Sequence, residues 1–183
     1  NTAHELGHKR GPMAGWLARI ALAPSGYGHF YVEHNRGHHV RVATPEDPAS
    51  ARYGEGFHQF WWRCVKGSVL SAWRLEKKRL TQSNRSAWSI ANQNLQGWSL
   101  TIALSALLAL LFGAAILPWM LAQMVLGFTL LELVNYIEHY GLLCQRDASG
   151  RFERPQPQHS WNSNHWVSNL VLYQLQRHSD HHA

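Results

Sequence analysis

The sequence predicts an all-α integral membrane protein, a helical bundle with a transmembrane hairpin and a histidine-rich metal site on one side of the membrane. Two observations predict this fold class. The first is an uncharged stretch, residues 86–131, between flanks that are dense in charge. The second is the histidine content: the 183 residues include 13 His against only 11 Asp and Glu, and eight of these His stand in three clusters.

Two apolar segments account for the predicted hairpin. Residues 98–117 are uncharged and mostly apolar, and about 20 residues at 1.5 Å each match a hydrocarbon core of roughly 30 Å. Pro118 interrupts the run, and residues 119–137 supply a second segment. Trp98 and Trp119 stand where interfacial aromatic residues are usual. We therefore expect transmembrane helices over 98–117 and 119–137, with the turn at Pro118.

A hairpin returns to the side of the membrane that it left, so its two flanks share one face. Both flanks are basic, and the positive-inside tendency places that face in the cytoplasm. These basic residues are Arg74, Lys77, Lys78, Arg79 and Arg85 before the hairpin, and Arg146, Arg151 and Arg154 after it. Glu132 falls inside the second span, where an isolated carboxylate is costly, so it should face other helices or a polar cavity.

The remaining composition narrows the partners and the compartment. A net charge of +6 would suit an anionic partner, but the uncharged stretch favours a lipid bilayer over nucleic acid. Cys64 and Cys144 form no CxxC pattern, which fits a reducing compartment. Residues 57–80 have the pattern of an amphipathic helix. Residues 144–164, with Gly, Pro, Gln, Ser and Arg, are typical of a cytoplasmic loop.

The three histidine clusters indicate metal binding. They are His4-Glu5-Leu6-Gly7-His8, then His34-Asn35-Arg36-Gly37-His38-His39, and finally His178-Ser179-Asp180-His181-His182. On an α-helix, residues four apart project from one face, so His4 pairs with His8 and His34 with His38. His39 points elsewhere, which would suit a second metal or a locally distorted helix. Neither packing nor solvation requires imidazoles at such spacings.

The number of histidines bears on the type of metal site. Imidazole suits Zn, Cu, Fe or Ni, so ligand type alone does not identify the metal. Eight ligands are too many for one ion, which implies two metals. His4-Glu5-x-x-His8 also matches the HExxH motif of zinc hydrolases, with Glu5 as general base. That alternative leaves the other clusters unexplained.

Four motifs extend the histidine pattern into a resemblance that covers the whole chain. They are HELGHK (4–9), EHNRGHH (33–39), NYIEHYGL (135–142) and LQRHSDHHA (175–183). Together they resemble the bacterial alkane 1-monooxygenases of the membrane fatty acid desaturase and hydroxylase superfamily. Desaturases lack the HYG element. The superfamily alternatives are a fatty acid desaturase or a xylene-type hydroxylase.

The resemblance implies a diiron centre held by nine histidines, and it excludes His29, His58, His159 and His165 from the ligand set. The implied ligands are His4, His8, His34, His38, His39, His139, His178, His181 and His182. Neighbouring carboxylates are candidates for orienting these ligands through hydrogen bonds. These carboxylates are Glu5, Glu33, Glu138 and Asp180.

The resemblance also implies an activity, partners and a location. Two non-haem irons would use O2 and two electrons from rubredoxin to hydroxylate n-alkanes to primary alcohols. The enzyme would lie in the bacterial inner membrane as a multi-pass protein, with its active site towards the cytoplasm. Residues 1–183 would be one domain, truncated at both ends, from a protein of about six spans.

Overall fold

The computed structural model describes residues 2–9, 11–163 and 165–171, and its regular elements there are helical. The α-helices are α1 (Thr2–His8), α2 (Pro12–Leu22), α3 (Phe30–Glu33), α4 (His39–Arg41), α5 (Phe57–Gln82), α6 (Gln93–Phe112), α7 (Ile116–His139) and α8 (Trp166–Val171). A π-helical segment, His34–His38, lies between α3 and α4, and Pro157–His159 form a 3-10 turn. The helical fold class is thus confirmed, and α5 covers the predicted amphipathic helix.

Helix α6 begins and ends for local reasons that the apolar pattern does not contain. Asn92 is the N-cap, and its side chain accepts hydrogen bonds from the backbone N–H groups of Asn94 and Leu95. The helix ends at Gly113, whose φ of +82° favours glycine. Helix α6 therefore spans 93–112, whereas the sequence predicted 98–117.

Pro118 does not form the turn between the two apolar helices, contrary to the prediction. Helix α7 begins at Ile116, which puts Pro118 in its first turn. The first N–H groups of a helix have no intrahelical partner, so a proline is tolerated there. The chain instead leaves the helical conformation over residues 113–115.

Both helices are long and apolar enough to cross a membrane. A core helix of a soluble protein would be largely buried, but only 6% of the apolar window in α6 and 11% of that in α7 are buried. Leu110, Phe112 and Trp119 are each more than two-thirds exposed. These apolar surfaces have the character of lipid-facing positions.

The chain divides into two compact units. The first unit comprises Thr2–Asn35 and Val69–Leu130. In it α6 passes very close to the segment before α3, because a Cβ on Gly28 would lie 2.8 Å from the backbone of Gly97. Tyr27 stacks on Phe128 of α7, with ring centroids 5.2 Å apart.

The second unit comprises Arg36–Ser68 and the described residues from Leu131 onward. Its apolar core contains Ala49, Ala51, Phe60 and Cys64, with Phe57, Tyr136 and Tyr140 packed against it. Glu132 is 1% exposed and accepts hydrogen bonds from the Cys64 thiol and the Asn135 amide. The expectation that Glu132 faces protein groups is therefore correct.

Candidate metal centre

In the first unit, three histidines from two sequence clusters converge. Helix α1 presents His4 and His8 on one face, and His34 lies beside them. The Nε2 atoms of His8 and His34 are 3.1 Å apart, and the ring centroids of His4 and His34 are 4.5 Å apart. One ligand nitrogen from each ring can be chosen so that all three lie within 4.8 Å of one another.

These distances fit a metal ion. With metal–nitrogen bonds of about 2.1 Å, two ligand nitrogens on one ion lie about 3.0 Å apart at a right angle and about 3.4 Å apart at a tetrahedral angle. The His8–His34 distance falls within that range. His4 and His34 are buried, with 8% and 3% of their surface exposed, so their ring nitrogens are withdrawn from bulk water. The donor set is three imidazoles, which suits first-row transition metals.

The second cluster departs from the α-helix assumed from its spacing. The backbone is π-helical from His34 to His38, and α4 starts at His39. A π-helix has more residues per turn than an α-helix, and such segments are frequent at functional sites. The four-residue spacing of His34 and His38 therefore does not place them on one α-helical face, and the local distortion considered for His39 is present.

In the second unit, His38 and His139 form another close pair. Their ring centroids are 4.8 Å apart, and both are almost completely buried, with 1% and 0% of their surface exposed. His139 is the last residue of α7, so the helix carries it directly to this pair. The pairing supports the candidacy of His139, which stands apart from the three clusters in the sequence.

Asp47 orients His38, a role that the sequence analysis missed. Its Oδ2 accepts a 2.8 Å hydrogen bond from Nδ1–H of His38 and a 2.6 Å bond from the Ser50 hydroxyl. Its Oδ1 accepts from the backbone N–H of Ala49. Burial alone would raise the pKa of Asp47, but its electrostatic interaction with the His38 ring and the hydrogen bonds from His38 and Ser50 outweigh it and lower that pKa. Asp47 is therefore a carboxylate, as a partner of a metal-binding histidine should be.

His139 has an equivalent partner in the main chain. Its Nδ1–H donates to the backbone carbonyl of His159 at 3.2 Å. Both His38 and His139 thus carry their proton on Nδ1, and Nε2 is the ring atom with the lone pair that a metal needs. The two rings are prepared for coordination in the same tautomer.

Comparison with known proteins identifies the family. The family model for fatty acid desaturases matches residues 1–183. The chain belongs to the fatty acid desaturase family. It is 53% identical to an alkane 1-monooxygenase of Ectopseudomonas oleovorans and 52% identical to one of Pseudomonas putida, each over all of this chain and 46% of the relative. It is 27% identical to the hydroxylase component of a xylene/toluene monooxygenase of Pseudomonas putida, over 98% of this chain and 47% of the relative.

The chain spans about half the length of the curated relatives that it matches. Membership in this family, together with the two exposed apolar helices, makes the chain a membrane protein. Membership in this family also fits metal binding by the converging side chains of His4, His8 and His34.

The other predicted site residues of this desaturase-family chain differ in their contacts and in their burial. His39 lies beside His38, with ring centroids 6.0 Å apart. Glu5 contacts Nδ1 of His4 at 3.3 Å, but its side chain is 60% exposed. Glu33 and Glu138 are buried next to candidate ligands in the sequence. The third cluster lies outside the described residues; its candidates are His178, Asp180, His181 and His182.

The four histidines excluded from the ligand set differ in environment. His58 and His165 are exposed, as expected for surface residues. His29 is buried against Tyr27, and burial lowers its pKa to about 4, so the ring is neutral. His159 is only 4% exposed, although its segment was predicted to be a cytoplasmic loop. Its backbone contact with His139 had no signal in the sequence.

Proposed function

We propose that this chain is part of a membrane monooxygenase that hydroxylates the terminal carbon of medium- and long-chain n-alkanes. One observation carries the proposal: all 183 residues align at 51–53% identity with four alkane 1-monooxygenases. In the balanced reaction, an alkane, O2, two electrons and two protons give a primary alcohol and water. One oxygen atom enters the C–H bond, and the other is reduced to water.

Two non-haem irons, when bound, would supply the O2 activation that amino-acid side chains cannot provide. The ligands would be the nine histidines implied by the resemblance: His4, His8, His34, His38, His39, His139, His178, His181 and His182. The chain's own contribution is to hold imidazoles in the tautomer with the proton on Nδ1, which leaves the lone pair on Nε2. Asp47 and the carbonyl of His159 do this for His38 and His139.

The proposal includes an electron donor and a location. Rubredoxin would deliver the two electrons, and the exposed arginines Arg146, Arg151 and Arg154 would suit an acidic donor on the same face. That face would be cytoplasmic in a bacterial inner-membrane protein. The complete protein would have about six spans, and residues 1–183 would form part of a single membrane domain.

Two alternatives are less well supported. A xylene-type hydroxylase or a desaturase shares the family, but the similarity to the xylene/toluene hydroxylase component is only 27%. A zinc hydrolase could use His4, His8 and His34 with Glu5 as base. It gives no role to the buried pair of His38 and His139 with Asp47, which is why we favour the monooxygenase.

The test is to express the full-length gene with a rubredoxin system and assay octane and hexadecane. We expect primary alcohols as products and close to two irons per chain in the purified enzyme. An alkene product would indicate a desaturase instead. One zinc per chain with no iron would contradict the diiron assignment.

The hairpin makes a separate prediction about topology. Reporter tags inserted after Arg85 and after Arg154 should both be cytoplasmic, because α6 and α7 cross the membrane in opposite directions. A tag after Gly113, in the short link between the two helices, should be periplasmic. Alkaline phosphatase and green fluorescent protein fusions report the two sides. Tags on opposite sides at Arg85 and Arg154 would contradict the hairpin.

A further inference from the structure

Hydrogen bonds hold the segment between α7 and α8 against the rest of its unit at both ends. At its start, the backbone N–H of Cys144 donates to the carbonyl of Ala43 at 2.7 Å. At its end, the backbone N–H of Trp161 donates to the carbonyl of Glu138 at 2.8 Å, and its indole N–H donates to the backbone carbonyl of Tyr140 at 2.9 Å. The turn Pro157–His159 is therefore held against the end of α7, where His139 lies.

The imidazole of His159 fixes this turn through both of its nitrogens. Nδ1 accepts a 2.9 Å hydrogen bond from the backbone N–H of Gln156. A nitrogen that accepts cannot carry the proton, so the proton of the neutral ring is on Nε2. Nε2 lies 3.3 Å from Oε1 of Glu153, which also accepts a 2.7 Å bond from the backbone N–H of Gln145. The ring thus ties the turn to the neighbouring part of the segment.

The hydrogen bonds of the His159 ring make a metal site beside it unfavourable. Ligand atoms of Cys144, Glu153 and His159 lie within 4.8 Å of one another, a separation that a metal could bridge. Nδ1 of His159 is occupied by the Gln156 N–H, and a metal at Nε2 would have to displace its proton and break its contact with Glu153. Burial, assisted by the charge of Glu153, raises the pKa of Cys144 to about 11, so its sulfur is a neutral thiol. Cys144, Glu153 and His159 therefore have a structural role in holding this segment together.

We propose that His159 is a positioning residue for the metal ligand His139. Its buried ring holds the 157–159 turn in place, and the carbonyl of the same residue accepts Nδ1–H of His139 at 3.2 Å. That bond keeps the proton on Nδ1 and aims Nε2 at the metal. The inference rests on the proposed function in that His139 is taken as a ligand.

The test measures metal binding without turnover. The full-length apo-enzyme is titrated with Co2+, whose visible absorption reports the number and type of ligands. His159→Ala should weaken Co2+ binding about tenfold, the low end of the effect of losing an outer partner of a ligand, because the carbonyl itself remains. The absorption band should change as well. His159→Asn should restore most of the affinity, since its side-chain oxygen can accept from Gln156 as Nδ1 does.

A double-mutant cycle separates positioning from general destabilisation. If His159 acts through His139, adding His159→Ala to a His139→Ala background should cause no further loss of Co2+ affinity. An equal loss in both backgrounds would overturn the proposal. So would wild-type affinity and spectrum in His159→Ala. His58→Ala, on the exposed side of α5, is the matched control and should bind Co2+ like the wild type.

The outcomes also distinguish this inference from the proposed function. Normal Co2+ binding by the wild type, with the predicted loss in His159→Ala but no alcohol from alkanes, would support the positioning role and contradict the hydroxylase. A wild-type enzyme that binds neither Co2+ nor iron and forms no alcohol would overturn both.

Discussion

Replacing His139 with alanine in the full-length enzyme should abolish alkane hydroxylation and lower the iron content. The side chain is completely buried, its ring lies 4.8 Å from that of His38, and its Nδ1–H is bound to a carbonyl. A ligand supplies a lone pair that an alanine methyl group cannot replace, so its loss opens a coordination position or frees the metal. If His139 merely ended the helix, its replacement would cost on the order of 1 kcal/mol of stability and leave the chemistry intact.

The measurements for His139→Ala are alcohol formation and iron per chain in protein of matched expression. His58→Ala serves as the control, since His58 is exposed on α5 and should keep both values near wild type. His159, although also excluded from the ligand set, is unsuitable as a control because its carbonyl contacts His139. Full activity and iron in His139→Ala would remove it from the site.

The candidate ligands could be named from the sequence because their signal is chemical. Imidazoles at spacings of three and four have no role in packing, and His4, His8 and His34 do converge. The tautomers could not be predicted, because they depend on acceptors distant in the sequence or in the main chain. Asp47 stands nine residues after His38 between two prolines, and only the folded turn brings its carboxylate to Nδ1.

The transmembrane segments illustrate a second limit of sequence reasoning. Hydropathy located both helices but displaced the start of α6 by five residues, because the more polar segment 93–97 belongs to the helix once Asn92 caps it. Helix α6 ends at Gly113, which has a positive φ, whereas Pro118 is compatible with the first turn of α7. Apolar composition measures how much chain fits the bilayer, and local backbone chemistry decides where each helix begins.

The second large effect should come from Asp47→Asn, a change of one atom in a fully buried side chain. The carboxylate accepts on both oxygens: from His38 and Ser50 on Oδ2, and from Ala49 on Oδ1. An amide has only one oxygen. If that oxygen stays with Ala49, the NH2 group faces Nδ1–H of His38, and two donors meet. If the amide is flipped, the NH2 group faces the backbone N–H of Ala49, and two donors meet there instead. The first arrangement is relieved only by moving the His38 proton to Nε2, which removes the lone pair for the metal.

We therefore expect Asp47→Asn to lower iron affinity and alkane hydroxylation by about 10- to 100-fold, the usual effect of losing an outer partner of a metal-binding histidine. That range corresponds to roughly 1.4–2.8 kcal/mol. Iron retained after dialysis against a chelator and the rate of alcohol formation are the two measurements. The adjacent Glu46 is exposed, so Glu46→Gln removes a carboxylate charge at almost the same point of the chain and should leave both values unchanged. Wild-type iron retention and turnover in Asp47→Asn would mean that His38 coordinates no metal through Nε2, and the pairing of His38 with His139 would then need another explanation.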